Sequence, residues 1–338
     1  MATQLIGAGG LTVELKLRQF QKRLISRNRA ETYFMRAGLG TKASIGRRMG
    51  KAISFRRMES IYPAGNAGSA AAGSAPTALT EGTQPAAIAG TWSEVQATAS
   101  QYGQVLLYSD IAEEQSVDDV MAESVENLRE SMNDALDLLT RDVLAAGTNV
   151  MYASIAATRG GASGVGSGMN LNLAELREAK RNLMNNNVKG VAAEDGLYVV
   201  ITNPNTSFDL EADSNITNIF MYSHQKEHNE ELFKPSFRDL PLGFRLFVTT
   251  NTRVFAAAGL SAMDVVNTTV LGDQAFATID LEAFPPQIIR KERGSGGATG
   301  DPLNQIASVG WKASHTAVIF DQARQVRIEH GTSSMTMG

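Results

Sequence analysis

The strongest pattern in the chain is helical and lies between residues 116 and 147. Apolar side chains recur at Val117, Val120, Met121, Val125, Leu128, Met132, Leu136, Leu139 and Val143, a three- and four-residue spacing that places them along one face of a helix. Ser116 with Asp119 three residues on makes a capping-box-like start, with Asp in place of Glu or Gln. Asp118 adds negative charge at the positive end of the helix dipole, and Gly147 supplies a stop. About thirty residues rising about 1.5 Å each predict a rod of about 45 Å, well beyond an ordinary globular helix.

Ahead of this helix the period changes to two. Trp92, Glu94, Gln96 and Thr98 alternate with Ser93, Val95, Ala97 and Ala99, and Val105 to Leu107 is apolar throughout, which predicts a β-hairpin within residues 76–109. Gly82, Pro85 and Gly90 suit turns or a sheet edge. A lone two-stranded hairpin is marginal in water, so the segment needs a surface to lie on, either its own domain or a neighbouring subunit. After the long helix, Asn172 and Glu175 cap a second helix reaching about Asn187. Leu197–Ile201 reads as a buried strand, Asn203-Pro204 opens another helix, and Phe244–Thr250 is strand-like, so residues 151–282 are expected to form a mixed α/β lobe. Phe284–Arg290, Asn304–Lys312 and Ala317–Ile328 read as late strands returning to cover the long helix. Upstream, Val13, Leu17, Phe20 and Leu24 predict a short basic amphipathic helix, while Ala64–Ala75 is nearly all Ala, Gly, Ser and Asn and cannot build a core.

Composition narrows the class. With 338 residues, 43% hydrophobic and a net charge of −4, the chain can bury a large core and build two lobes with appendages. There is no apolar run long enough to span a bilayer, and Met1–Gly10 lacks a basic segment followed by an apolar one. Neither an anchor nor a signal peptide is expected, nor removal of an N-terminal segment, and the chain is expected to stay in the cytoplasm where it is made. Cysteine is absent, which removes disulfides, thiolate metal sites and cysteine nucleophiles together.

The small net charge conceals segregation. Residues 1–58 hold thirteen bases, among them Arg23, Arg27, Arg47, Arg48, Arg56 and Arg57, against two acids. Residues 110–142 hold eleven acids, among them Asp118, Asp119 and Glu123, against two bases. Opposite charge on separate segments is expected to meet, within a subunit or between neighbours, the alternative being two solvated faces.

Three motifs offer catalytic or ligand-binding chemistry. His224-Gln225-Lys226-Glu227-His228 matches H-x-x-E-H, a spacing in which two imidazoles one turn apart can bind Zn²⁺ while Glu227 activates water. Its flank Asn229-Glu230-Glu231 is polar and no third ligand stands out, so a solvated loop is the default and a zinc hydrolase the remote alternative. The Gly-rich stretch Arg159–Gly168 lacks the GK[ST] ending of a phosphate-binding loop. His315 and His330 have no evident nucleophile and acid partners.

Four segments in order carry a resemblance. Leu79-Thr80-Glu81-Gly82 through Pro85, Gln101-Tyr102-Gly103 before the long helix, Leu271-Gly272-Asp273-Gln274-Ala275-Phe276, and Asp301-Pro302-Leu303-Asn304-Gln305 followed by Val309-Gly310-Trp311-Lys312 together resemble the tailed-bacteriophage major capsid proteins of the branch typified by coliphage N-four, over roughly residues 50–329. The resemblance implies the Hong Kong phage type of α+β fold. Residues 1–75 would be a basic N-terminal arm, 76–109 an extended β-hairpin loop, 110–150 and 283–338 a peripheral domain with the spine helix, and 151–282 an axial α/β domain. It implies no enzyme and no cofactor, but a self-assembling icosahedral shell of hexamers and pentamers around double-stranded DNA, made in the bacterial cytoplasm, with scaffolding and portal proteins, with or without a decoration protein, as partners and no membrane. The arm residues Arg23, Arg27, Arg47, Arg48, Arg56 and Arg57, the loop residues Glu81 and Trp92, and the helix residues Asp118, Asp119 and Glu123 are the expected inter-subunit or DNA-facing positions. A cellular encapsulin-like nanocompartment shell shares that fold and is the nearer alternative; the basic arm favours a DNA-filled interior. Some relatives weld subunits through a loop lysine, yet residues 76–109 contain none, so a wholly non-covalent shell is expected.

Overall fold

The structure, a computed structural model, describes residues 30–58, 78–84, 90, 92–115, 120–154, 156–217, 239–240, 242–294, 303 and 305–333. In chain order it builds β1 (Thr41–Ile45), β2 (Ala52–Met58), β3 (Trp92–Thr98), β4 (Ser100–Ser109), α1 (Asp110–Gln115), α2 (Val120–Ala145), β5 (Val150–Tyr152), α3 (Leu173–Asn185) and β6 (Tyr198–Thr202). There follow α4 (Pro204–Glu211), β7 (Asp239–Leu240), β8 (Phe244–Val248), β9 (Val254–Phe255), β10 (Val265–Leu271), β11 (Phe276–Leu281), β12 (Gln287–Lys291), β13 (Ile306–Ile319) and β14 (Gln325–His330).

The strands form three sheets. One runs β1-β11-β13-β12, with β4 also paired along β13; a second runs β5-β14-β10-β6-β8-β7, with β9 on β10; the third is the two-stranded ribbon β2–β3. β6 and β10 are central to the second sheet and buried at every position, so they read as continuous apolar or Thr-rich runs rather than as alternation. On the first sheet the alternation is clean. Leu106 and Tyr108 of β4 and Ala307, Val309, Trp311 and Ala313 of β13 pack on the α2 stripe of Met121, Leu128 and Leu136, while Val105 and Leu107 point the other way and are exposed.

The long helix exists, but α2 as described has 26 residues, about 39 Å, and the predicted Ser116–Asp119 cap lies outside the described residues. Gly147 does lie just past the end of α2. It does so by close approach rather than by a left-handed turn: a Cβ there would stand 1.9 Å from Nε2 of Gln325. The apolar stripe also turns along the helix. Its N-terminal two-thirds faces the first sheet, whereas Leu144 belongs to a different cluster with Phe34, Leu39, Val199, Phe247 and Phe276, so the helix end wedges between the two sheets.

Two expectations about chain organisation need correction. β3 and β4 are not the two strands of a hairpin. β3 pairs antiparallel with β2 of the arm, Arg56 opposite Glu94 and Met58 opposite Trp92, while β4 pairs with β13 from Ser100 opposite His315 to Ser109 opposite Ile306. Alternation specifies a half-buried strand, not its partner, and both strands find a longer apolar match elsewhere. The expected division at residues 282 and 283 also shifts. β11 joins the sheet under the spine helix, with β1 of the arm parallel to it, and β14 returns to the second sheet between β5 and β10. The two sheets are therefore tied by the crossings β10–β11 and β13–β14. The buried strand at 198–202, the Asn203-Pro204 helix start and the Asn172/Glu175 capping box are present as expected.

Candidate assembly surfaces

The arm is fastened by backbone as much as by charge. Asp137 of α2 has no exposed surface and accepts the Met35 N–H at 3.0 Å, with the Phe34 N–H and the Asn251 amide as further donors. Burial pushes its carboxyl up to about 6; those hydrogen bonds pull it back and Asp134 adds to the rise. On the other side, Thr249 donates to the Glu31 carbonyl at 2.7 Å, Tyr33 stacks on Phe247, and Arg36 covers the same ring while pairing with buried Glu194 at 2.9 Å. Residues 31–36 thus form a strap between the spine helix and the second sheet.

The expected charge partners separate into those placed and those not. Arg47 and Arg48 sit exposed in the turn after β1, Arg48 at a positive φ of 65°. Arg56 pairs with Glu94 at 3.5 Å across the ribbon, an exposed pair that contributes little. Arg57 donates to Asp321 at 2.6 Å; burial alone would push that carboxyl up, but Arg57, the Ala323 N–H and Arg324 hold it below the usual range. These three carboxylate partners, Glu194, Glu94 and Asp321, lie outside the acidic helix, and the arm meets that helix through Asp137 and through Phe34, Met35 and Leu39 packed on its apolar side chains. Glu123 lies in the first turn of α2, Glu81 is exposed in the turn over residues 80–83, and Trp92, opposite Met58 in the last described pair of the ribbon, is 67% exposed. Arg23, Arg27, Asp118 and Asp119 lie outside the described residues, as does the whole His224-x-x-Glu227-His228 motif. Among the described residues no three His, Cys, Asp or Glu side chains converge as a metal site.

Two features were not anticipated. One is an ion cluster in the second sheet. Glu329, fully buried on β14, accepts Nε and Nη2 of Arg159 at 2.7 and 2.5 Å and lies 3.4 Å from Arg327. Arg159 therefore gives the Gly-rich loop a structural anchor. His315 and His330 are both fully buried: His315 is bonded to Thr140 at 3.0 Å and, contrary to the sequence reading, has an acid beside it, Asp280 at 3.5 Å, while His330 is bonded to Thr268. The second feature is a hollow of about 520 Å³ on the outer face of β4, β13 and β12, bordered by Tyr102, Val105, Leu107 and Ile289, with Lys291 and Lys312 at its rim. Its signal was Val105 to Leu107, apolar on both faces of one strand.

No protein-family model and no curated protein sequence matches the chain. Solved structures do. The capsid structure of cyanophage P-SCSP1u superposes with a TM-score of 0.68 at 14% identity, over 95% of this chain and 94% of that one. The capsid of Ralstonia phage GP4 gives 0.68 at 11% identity over 100% of both chains, and the capsid of Helicobacter pylori bacteriophage KHP30 gives 0.66 at 11% over 94% and 96%. The chain has the α+β fold of tailed-phage capsid subunits, of the Hong Kong phage type.

Proposed function

We infer that this protein is the major subunit of a tailed-phage head, self-assembling into hexamers and pentamers that enclose double-stranded DNA. The observation that carries the reading is coverage: capsid chains match this one over nearly their whole length and its own. The role is structural. Its buried histidines and its clustered acid serve packing and charge pairing, and the surfaces left over, a basic arm, an acidic helix, an exposed ribbon and an apolar sheet face, are those of a subunit that is completed by neighbours. Scaffolding and portal proteins, with or without a decoration protein, would be the other partners, and the virion, assembled in the host cytoplasm, its location. Electron microscopy of the purified protein tests the reading: closed icosahedral particles are expected, and a protein that stays monomeric at every concentration and salt would overturn it. Particles filled with a protein cargo would point to a nanocompartment instead.

The arm's surplus of positive charge makes a second expectation. With Arg23, Arg27, Arg47 and Arg48 changed to Glu, the subunit should remain soluble but fail to assemble, and wild-type shells should weaken as salt rises. Sedimentation analysis of the variant reads this. Normal particles would sink the idea, and normal shells that lose DNA would place the arm on the genome.

Covalent locking has no chemistry available in the loop. The lysines are Lys16, Lys22, Lys42 and Lys51, then none until Lys180, and there is no cysteine. Boiled in denaturing detergent, purified particles should give a single band near 36.2 kDa. A ladder of multimers resistant to that treatment would refute it.

A further inference from the structure

We propose that the arginine network at the C-terminal end of α2 binds a phosphate group, held between Arg159 and Arg253. The site uses no neighbouring copy, so it stands or falls apart from the reading of the chain as a self-assembling subunit.

Four guanidiniums and two carboxylates meet there. Arg141 grips Asp142 through Nε and Nη2 at 3.1 and 2.7 Å, and Arg253 lies 3.5 Å from the same carboxylate. Arg253 and Arg159 face one ring, their guanidinium carbons 5.8 and 3.6 Å from the Phe255 centroid. Arg159 and Arg327 then share Glu329. The strands set these positions. The Arg253 carbonyl accepts the Asn267 N–H and Asn267 stands opposite Glu329, which puts Arg253 and Glu329 on one row across the second sheet. Asp264, a little further along the chain, accepts the Ala257 N–H at 2.7 Å instead. Four cations against two carboxylates leave the network with a positive surplus.

The spare donors are concentrated on the two arginines at the ring. Arg159 gives Nε and Nη2 to Glu329 and keeps Nη1, while the Arg253 guanidinium makes no hydrogen bond among the described residues. A guanidinium is a flat fork of donors, and a phosphate, with oxygens on several sides, can take two forks at once. The Gly-rich loop adds backbone. It begins at Arg159 and lies against the segment that follows Phe255, where a Cβ on Gly160 would stand 2.6 Å from the Ala258 carbonyl oxygen. The N–H groups of Gly160, Gly161, Ala162 and Ser163 donate to nothing among the described residues, and Gly161 turns at a φ of 79° with open space where a side chain would be. Successive free N–H groups at such a turn form an anion-binding concavity.

Packing does not call for the surplus. Glu329 is matched by Arg159 and Arg327, and Asp142 by Arg141, so Arg253 brings a further positive charge beside Arg159 with one long contact to offset it. An anion between the two relieves that repulsion. The site is open enough to receive one, since the Arg159 and Arg253 side chains are 32% and 45% exposed. The phosphate group can come from a nucleic-acid backbone or from free phosphate.

Calorimetric titration of the full chain with inorganic phosphate, at fixed ionic strength against chloride, tests the site. Wild type should bind phosphate, Arg253→Gln should weaken binding about tenfold or more, and Arg253→Glu should abolish it. Both variants should melt as the wild type does in phosphate-free buffer, because the Arg253 guanidinium makes no hydrogen bond there. Arg253→Lys, which keeps the charge without the fork, should recover part of the affinity. A short DNA duplex separates the two sources: displacement of phosphate by the duplex assigns the site to a nucleic-acid backbone, and phosphate that the duplex leaves in place assigns it to the free anion, the site holding in either case. A wild type that responds to phosphate no more than to chloride, or an Arg253→Glu chain that binds phosphate equally well, would overturn the site. Icosahedral particles formed by that same wild-type protein would leave the shell reading standing.

Discussion

Replacing Glu329 with alanine should destabilise the subunit by about 3–5 kcal/mol, the cost expected when one partner of a buried ion cluster is removed and the other charges remain. Glu329 has no exposed surface and takes two hydrogen bonds from Arg159, whose guanidinium also lies 3.6 Å above the Phe255 ring. Arg327, two residues before it, reaches the Ala145 carbonyl at the end of α2. Removing the acid therefore strands two guanidiniums, and burial already holds that of Arg327 below its ordinary value. The damage should spread from the second sheet to the Gly-rich loop and the end of the spine helix. Urea unfolding measures it, and Glu329→Gln, which keeps an acceptor but not the charge, should fall between. A loss under about 1 kcal/mol for the alanine variant would show that the cluster is dispensable. Because Glu329 is fully buried and Arg159 is only 32% exposed, added salt should change the result little.

Local signals were legible where the chain satisfies itself locally. The Asn172–Glu175 box closes within three residues, and Tyr198–Thr202 reads as a buried strand because both of its faces are covered. The long helix was legible by its stripe as far as Leu139. Beyond that the stripe turns toward the second sheet, so Leu144, buried completely, was passed over and Val143, only half-buried, was chosen. A late strand does return to cover the long helix, as expected, but the other distant partnerships were not read. The alternation at Trp92–Thr98 is the same whether the strand pairs with its neighbour or with Ala52–Met58, and Arg159 gives no sign of a carboxylate 170 residues away. Asp137 sat unremarked in an acidic run, although it shares a helix face with Thr140 and Leu144, both fully buried. Trp92 was legible as a strand residue, while the hollow was not legible at all, since three strands far apart in sequence build it.

The contributions of Asp137 and His330 to the stability of the subunit should nearly cancel between about pH 4 and pH 6, because the two buried groups titrate in opposite senses there. Asp137 is pushed up to about 6 from an ordinary 3.8, so the folded state holds a proton that the unfolded chain has released; its contribution is full below about 3.8 and is lost as pH rises through 6. His330 is pushed down to about 4 from 6.5, chiefly by burial between Thr268 and the Gly331 carbonyl, so here the unfolded chain holds the extra proton; its contribution is full above 6.5 and is lost as pH falls through 4. Each slope is about 1.4 kcal/mol per pH unit and their signs differ, so they cancel over the shared window. Single variants separate them. Asp137→Asn should leave the His330 slope alone, with stability rising by roughly 2–3 kcal/mol from pH 4 to 6, and the strap over Met35 should hold as tightly at neutral pH as in mild acid. His330→Gln, whatever its overall cost, should reverse the slope, stability falling over the same interval. Urea midpoints at half-unit pH steps read both. Parallel curves for wild type and the two variants would mean that neither group titrates between those limits in the folded subunit.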